Sequence, residues 1–214
     1  MKASDESSAV AIHLCWAVCT AFVISCPFQL NVPIHITGTF QHFATVPISC
    51  LVPLPDNLLD GGGSSIDPAL YTSALCSGST ALVSLRASKV LPGYVVIVVG
   101  ILGAIGHLTG MLAKQIQRAR VIGVDLAAKT SAVTQEHQDY CDILLGAPES
   151  HEDEAWQGFH ERLLQACAQL RRGHGEDVGI PRAAEAAIVT SSSVSSFQRL
   201  DEYVCDGGTI VCVG

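Results

Sequence analysis

The stretch from Tyr94 to Asp125, YVVIVVGILGAIGHLTGMLAKQIQRARVIGVD, limits the folds open to this chain more than any other. A run of Val and Ile stops at a turn carrying Gly100, Gly103 and Gly106. β-Branched side chains suit a pleated strand, and a run without polar alternation suits one buried on both faces. Beyond the turn, Ile105, Leu108, Leu112 and Ile116 recur at helical spacing, which predicts a helix with that stripe inward. A second apolar run then ends on Asp125. Strand, glycine turn, helix, strand and acid in that order make a parallel βαβ unit.

The same alternation continues to the end of the sequence. Strands are predicted at 94–99, 120–124, 141–145, 186–190 and 209–213. A helix over 151–172 aligns Trp156, Phe159, Leu163, Cys167 and Leu170 on one stripe. Glu152, Asp153 and Glu154 in its first turn and Arg171 and Arg172 in its last follow the helix dipole. A shorter helix over 195–204 turns Phe197, Leu200, Tyr203 and Val204 inward, and Asp67-Pro68 opens another that runs through Leu70, Ala74 and Leu75. The expected fold is α/β, a Rossmann-like doubly wound parallel sheet with 209–213 as an apolar edge.

Composition excludes some functions. With a net charge of -8 and 15% charged residues, the chain lacks the clustered Lys and Arg that nucleic-acid phosphates require. The basic pairs Arg118/Arg120 and Arg171/Arg172 read as solvated helix ends. The nine cysteines form no Cys-x-x-Cys pair, and several sit inside apolar runs, which points to free thiols in a reducing, cytoplasmic compartment.

The first third reads differently. No Asp, Glu, Lys or Arg lies between Glu6 and Asp56. The apolar segment Ala9–Ile24 is shorter than the ~20 residues of a membrane-spanning helix. As a secretion signal it starts poorly, because Asp5 and Glu6 outweigh Lys2. Residues 1–36 therefore stay open between a buried or partner-covered segment, a membrane or signal element, and a replacement for a lost domain. The buried or partner-covered segment is the favoured one, and membrane contact is not. From Ile34 to Leu54, glycine and prolines punctuate short strands, and 60–65 (DGGGSS) is a flexible loop.

In a dinucleotide site the amino end of the first helix faces the pyrophosphate, where free amides and the helix dipole stabilise an anion. Gly103 allows the backbone close to the phosphates and Gly106 allows the helix close to the strand. Asp125, 22 residues after Gly103, stands where a carboxylate accepts the adenosine ribose hydroxyls, which favours NAD over NADP. The same turn also fits a domain that binds nothing, or one that binds S-adenosylmethionine. His107 reads as a helix residue at the sheet edge in preference to a pyrophosphate contact or proton carrier. The serine run 190–196 (TSSSVSS) reads as a polar loop, since no histidine–acid partner accompanies it.

Several segments in order resemble the medium-chain, zinc-dependent alcohol dehydrogenase family of the yeast and fungal type. They are GTFQHFA (38–44), ALCSGSTAL (74–82), PGYVVIVVGILGAIGHL (92–108), AKQIQRARVIGVD (113–125) and DGGTIVCVG (206–214). The resemblance spans about residues 36 to 214. It implies a remnant of the β-rich, GroES-like catalytic domain ahead of the nucleotide-binding sheet. Domains are then 1–36, an apolar segment; 37–85, the catalytic-domain remnant and linking helix; and 86–214, the NAD-binding domain, incomplete at its end.

By the same resemblance Cys76 falls on the third ligand of the catalytic zinc. Thr80, a catalytic-site position, and Ile105 pack behind the nicotinamide ring. Gly100, Gly103, Ala104, Ile105, Gly106, Asp125 and Lys129 bind the cofactor, and Val213 lies beside its carboxamide. Three departures accompany the match. Ile101 replaces the first glycine of the fingerprint, with Gly100 just before it. Thr130 occupies the position of the ribose-binding lysine, with Lys129 one residue short. The family's Cys-His-[Ser/Thr]-Asp and Gly-His-Glu segments are absent, which leaves Cys76 as the one matched zinc ligand. The resemblance thus implies an NAD-dependent oxidoreductase acting on small alcohols or carbonyls, truncated at both ends and catalytically impaired, without a full zinc site. A homo-oligomer is among the expected states. A zinc-free NAD(P)H reductase of the same superfamily, a non-catalytic nucleotide- or partner-binding module, and a methyltransferase are the competing readings.

Overall fold

A computed structural model describes residue 42 and residues 74–133, 139–149, 153–172 and 182–213. The chain divides into units Met1–Leu59 and Asp60–Gly214, and the architecture below belongs to the second. The strands expected between Ile34 and Leu54, the loop 60–65, the Asp67-Pro68 helix start and the GroES-like remnant before Ala74 lie outside the described residues, apart from the exposed His42.

A π-helical turn, Ala74–Gly78, runs into α1, Ser79–Ala87. There follow β1 (Val95–Val99), α2 (Ala104–Gln115), β2 (Arg120–Leu126), the short α3 (Ala127–Thr130) and β3 (Ile143–Ala147). The chain continues through α4 (Asp153–Arg172), β4 (Ala184–Val189), two 3-10 turns (Val194–Phe197 and Leu200–Tyr203) and β5 (Val204–Cys212). The five strands form one sheet in the order β3-β2-β1-β4-β5, and every neighbouring pair is parallel. This is the expected α/β, Rossmann-like sheet.

Alternation along β1 sorts the core into two layers, because successive side chains leave a strand on opposite faces. Val95, Ile97 and Val99 meet Trp156, Phe159 and Leu163 of α4 on one face. Val96 and Val98 meet Ile101, Ala113 and Leu85 on the other. The α4 stripe expected from spacing is the buried one, with Trp156, Phe159, Leu163 and Cys167 at 2% exposure or less.

Three expectations need correction. The fully buried face of α2 is Gly106, Thr109, Gly110 and Ala113, whereas Ile116 is 60% exposed. Close helix packing is set here by the smallest side chains, and Ile105, Leu108 and Leu112 flank that contact half-buried. The helix expected over 195–204 is instead two 3-10 turns broken by Arg199 in the left-handed region (φ 53), with Phe197 exposed and Tyr203 buried. Finally, Arg120 and Arg171 are not solvated helix ends. Arg171 is 3% exposed and donates to Glu185 at 2.8 Å and to the carbonyls of Arg182 and Ala183. Glu185 in turn accepts the Val95 amide at 2.7 Å, so the buried guanidinium meets one carboxylate and two carbonyls, which offset part of its desolvation.

Burial raises the Cys141 thiol to about 11 and the Cys167 thiol to about 12, while Cys76 and Cys212 are exposed. Thiolate is the reactive species. Iodoacetamide at mildly alkaline pH should therefore modify Cys76 and Cys212 in the folded protein, and Cys141 and Cys167 only after unfolding, as read by peptide mass analysis. Because the folded thiols hold their protons beyond the pH at which unfolded ones ionise, stability should fall as pH rises from the free-thiol range towards these values.

Candidate functional site

The carboxyl ends of β1, β2 and β4 open into a cleft of about 300 Å³, lined by Gly100, Asp125, Lys129, Pro148, a row of serines and Tyr203. Its position follows from topology. β1 connects outward to β2 on one side and pairs with β4 on the other, so the connections diverge above β1 and leave a crevice.

Gly100, at the head of the glycine turn, lines the cleft. Gly100 has φ +83, which an L side chain rarely adopts, and a Cβ there would press on the Ser191 amide and the Thr190 hydroxyl. The Gly100 amide donates to Val124 O at 2.8 Å, and Gly103 N donates to Gly100 O at 3.0 Å. Gly100 thus supplies the turn that the resemblance assigns to the position of Ile101. A Cβ on Gly106 would fall well inside contact distance of the Gly100 carbonyl, so α2 starts flush against the turn. The first intrahelical bond is made by His107 N to Gly103 O, at 2.8 Å, and no side chain caps the helix. The amides of Ala104, Ile105 and Gly106 precede that bond and are the ones a helix start offers to an anion.

The replacement of the fingerprint's first glycine by Ile101 has a structural explanation. Ile101 is fully buried, and two glycines make room for it. A Cβ on Gly123 would lie 2.8 Å from the Ile101 side chain, and one on Gly110 would lie 2.9 Å from it. The side chain missing from the fingerprint's neighbours is carried by the fingerprint itself. Sequence reading noticed the substitution but not its two partners, since neither Gly110 nor Gly123 belongs to a motif.

Asp125 is 7% exposed at the end of β2. Its Oδ2 accepts the Leu102 amide at 3.0 Å and its Oδ1 accepts the Leu126 amide at 2.9 Å. Each carboxylate oxygen keeps acceptor capacity after one such bond. Lys129, one turn along in α3, brings Nζ to 3.5 Å from Asp125 Oδ1 and also lines the cleft. Thr130 turns back instead, donating to Ala127 O. The cleft therefore holds one carboxylate and one ammonium group side by side.

The opposite wall is the segment after β4. Ser191, Ser192, Ser193, Ser195 and Ser196 face the cleft, and Ser193 and Ser195 share a 2.7 Å hydroxyl contact. These hydroxyls are a polar lining, as the sequence suggests, and they belong to the same site as Asp125. Tyr203 closes the base of that wall, its phenol pKa raised by burial first and by Glu202 second. His107 packs its ring on Tyr140, with centroids 4.3 Å apart, the helix-residue role expected of it.

Of the expected site residues, Gly100, Asp125 and Lys129 line this cleft, whereas Cys76, Thr80, Gly103, Ala104, Ile105, Gly106 and Val213 are not among its lining residues. Cys76 is exposed in the π-helical turn, where Ser79 and Thr80 both donate hydroxyl hydrogen bonds to its carbonyl, at 2.8 and 3.1 Å. Val213 follows β5 and donates its amide to Val189 O. Among the described residues no three His, Cys, Asp or Glu side chains gather as a metal-ligand group. Cys76 alone does not make a zinc site, and the described donors do not fit one.

The sheet order, the glycine turn and the acid at the second strand define a Rossmann-like protein with a crevice above its central strand. Comparison with known proteins narrows the class. No family model matches the chain. Alcohol dehydrogenase 2 of Emericella nidulans is 29% identical over 180 residues, covering 84% of this chain and 43% of that protein. The alcohol dehydrogenase of the hyperthermophilic archaeon Aeropyrum pernix superposes with a TM-score of 0.66 at 20% identity, covering 94% of this chain and 51% of that one. A mycobacterial protein solved with NADPH superposes with a TM-score of 0.54 at 22% identity, covering 79% of this chain and 43% of that one. In sequence the chain is similar to the Emericella alcohol dehydrogenase, and in fold it is similar to the two solved structures. It spans under half the length of the curated relative.

Restoring the fingerprint glycine is expected to harm this chain. Ile101→Gly would leave a cavity bounded by Gly110 and Gly123, and should cost about 3 kcal/mol or more in chemical unfolding. An unchanged or raised stability would contradict the packing account.

Proposed function

We propose that this chain binds a nicotinamide dinucleotide in the cleft above β1, as the cofactor-binding part of an oxidoreductase that interconverts small alcohols and carbonyls. The observation that carries the reading is the placement of Gly100, Asp125 and Lys129 in one crevice, with the start of α2 following Gly100 by one tight turn. The amides of Ala104, Ile105 and Gly106 receive the pyrophosphate, with Gly103 leaving their approach open. Asp125 accepts the adenosine ribose hydroxyls, and Lys129 holds that carboxylate in place while sharing the ribose. The nicotinamide, when bound, supplies the hydride acceptor or donor. By resemblance, Thr80, Ile105 and Val213 support the ring.

The cofactor is NAD in preference to NADP. A 2′-phosphate would meet the Asp125 carboxylate, and Lys129 is already drawn to that carboxylate at 3.5 Å. Titration calorimetry should give tighter binding of NADH than NADPH, and Asp125→Ser should narrow the gap. Tighter NADPH binding by the unaltered chain would overturn the role given to Asp125.

Turnover of simple alcohols is expected to be slight. The oxygen of the alcohol needs stabilisation as charge develops, and the residues described here supply Cys76 alone of the family's zinc ligands. Loss of such a Lewis acid corresponds to a rate loss on the order of thousands-fold. NADH absorbance with a panel of primary and secondary alcohols, with and without added zinc, tests this. Robust zinc-dependent turnover would show a metal site rebuilt from other residues. Among the described residues no zinc donor set gathers, and a second reading is a zinc-free reductase of the same superfamily. It predicts turnover of activated double bonds instead. A cytoplasmic protein that takes small-molecule substrates and no nucleic acid fits the free cysteines among the described residues and the acidic balance, and a homo-oligomer is one of its expected states. No helix among the described residues is long and apolar enough to cross a membrane.

A further inference from the structure

The serine wall of the cleft has little regular structure of its own. Between β4 and β5 the chain makes two short 3-10 turns, and its internal backbone bonds are local: Ser196 N to Ser193 O, Gln198 N to Ser195 O and Glu202 N to Arg199 O. Val194 is 80% exposed and Phe197 is 40% exposed, so the turns carry little buried apolar surface. Arg199 sits in the left-handed region at φ 53, which non-glycine residues occupy at a cost unless their surroundings hold them there. Such a segment needs external anchors.

One anchor is at its start, where the Thr190 amide and hydroxyl both donate to Val99 O, at 2.9 Å. The other is at its end, against α4. Trp156 Nε1 donates to Glu202 Oε2 at 2.5 Å, and Arg199 Nη1 lies 3.5 Å from Glu202 Oε1. The Arg199 guanidinium also sits over the Trp156 ring, 5.6 Å from its centroid. His160, stacked on Trp156, places Nε2 at 3.1 Å from the Glu202 carbonyl. Next in sequence, Tyr203 packs on Trp156 and Phe159 and lines the cleft. Trp156 itself is 2% exposed in the core under β1.

We infer that the Trp156–Glu202–Arg199 cluster is a latch that positions the serine wall, so that α4, which does not reach the cleft, sets the cleft's width and its affinity for the nucleotide. Glu202 is a positioning residue: its carboxylate joins a rigid helix to the turn that carries Arg199, and Tyr203 transmits that placement to the cleft. The inference rests on the proposed dinucleotide site, and adds a determinant that belongs to neither the glycine turn nor the acid.

The experiment compares the full chain with Glu202→Ala, Glu202→Gln and Trp156→Phe. NADH affinity is measured by calorimetry well below the melting temperature, and hydrogen–deuterium exchange is followed over 191–203. Glu202→Ala should weaken NADH binding about tenfold and speed exchange in that segment, as expected when a charge-assisted anchor is lost. Glu202→Gln keeps an acceptor for the indole and loses the ion pair with Arg199, so it should fall between. Trp156→Phe keeps the ring and loses the donor, so it should act in the same direction even if Glu202→Ala folds poorly. Lower melting temperatures with unchanged affinity and unchanged exchange would reduce the cluster to a stability contact and overturn the latch. If the unaltered chain binds no dinucleotide, the cofactor reading fails. The exchange arm then still decides whether Glu202 orders the wall.

Discussion

The contact on which the rest depends is the one between the start of α2 and the turn before it. Because Gly106 has no side chain, the helix begins against the Gly100 carbonyl. A helix set this close must pack through its small face, so Gly106, Thr109, Gly110 and Ala113 go inward and Ile116 is left outside. The same closeness creates the space at Gly110 and Gly123 that Ile101 fills. Core packing and site geometry share this one junction.

From it follows the polar arrangement above the sheet. Gly100 turns the chain with φ +83 and Leu102 presents its amide to Asp125, so the acid that faces the cleft also ties the turn to β2. Lys129 and the serine wall complete a crevice whose charge is nearly balanced and whose lining is largely hydroxyl and amide. At the other end of the strands Arg171, Glu185 and the Val95 amide form a buried network that closes the base of the sheet. The two ends of the fold are thus fixed by polar groups of different kinds, with the apolar side chains of β1 between them.

How much of this was legible depended on the size of the signal. Long apolar runs and the α4 stripe were readable, because the burial of Val95 to Val99 and of Trp156, Phe159 and Leu163 follows from periods of two and 3.6. The inward face of α2 was not, since a hydrophobic pattern weights Ile and Leu, whereas the packing turned on Gly and Thr. The segment 195–204 has helical spacing, yet Arg199 takes a left-handed conformation that its pairing with Glu202 supports, and no pattern of apolar residues reports that. The burial of Arg171 depended on Glu185, a partner distant in sequence and so invisible to charge counting. The glycine turn and Asp125 stand out in the sequence by motif. The serine wall was recognised only as polar, because its place in the cleft comes from the fold.

The central claim is that a dinucleotide lies across the glycine turn and against the serine wall. Backbone amide chemical shifts of isotope-labelled protein, titrated with NADH, test it residue by residue. The account predicts shifts concentrated at Gly103 to Gly106, at Asp125 to Lys129 and along Ser191 to Ser196, saturating together. Shifts confined to the opposite end of the strands, around Lys89 and Asp206, or no saturable shifts at all, would contradict it.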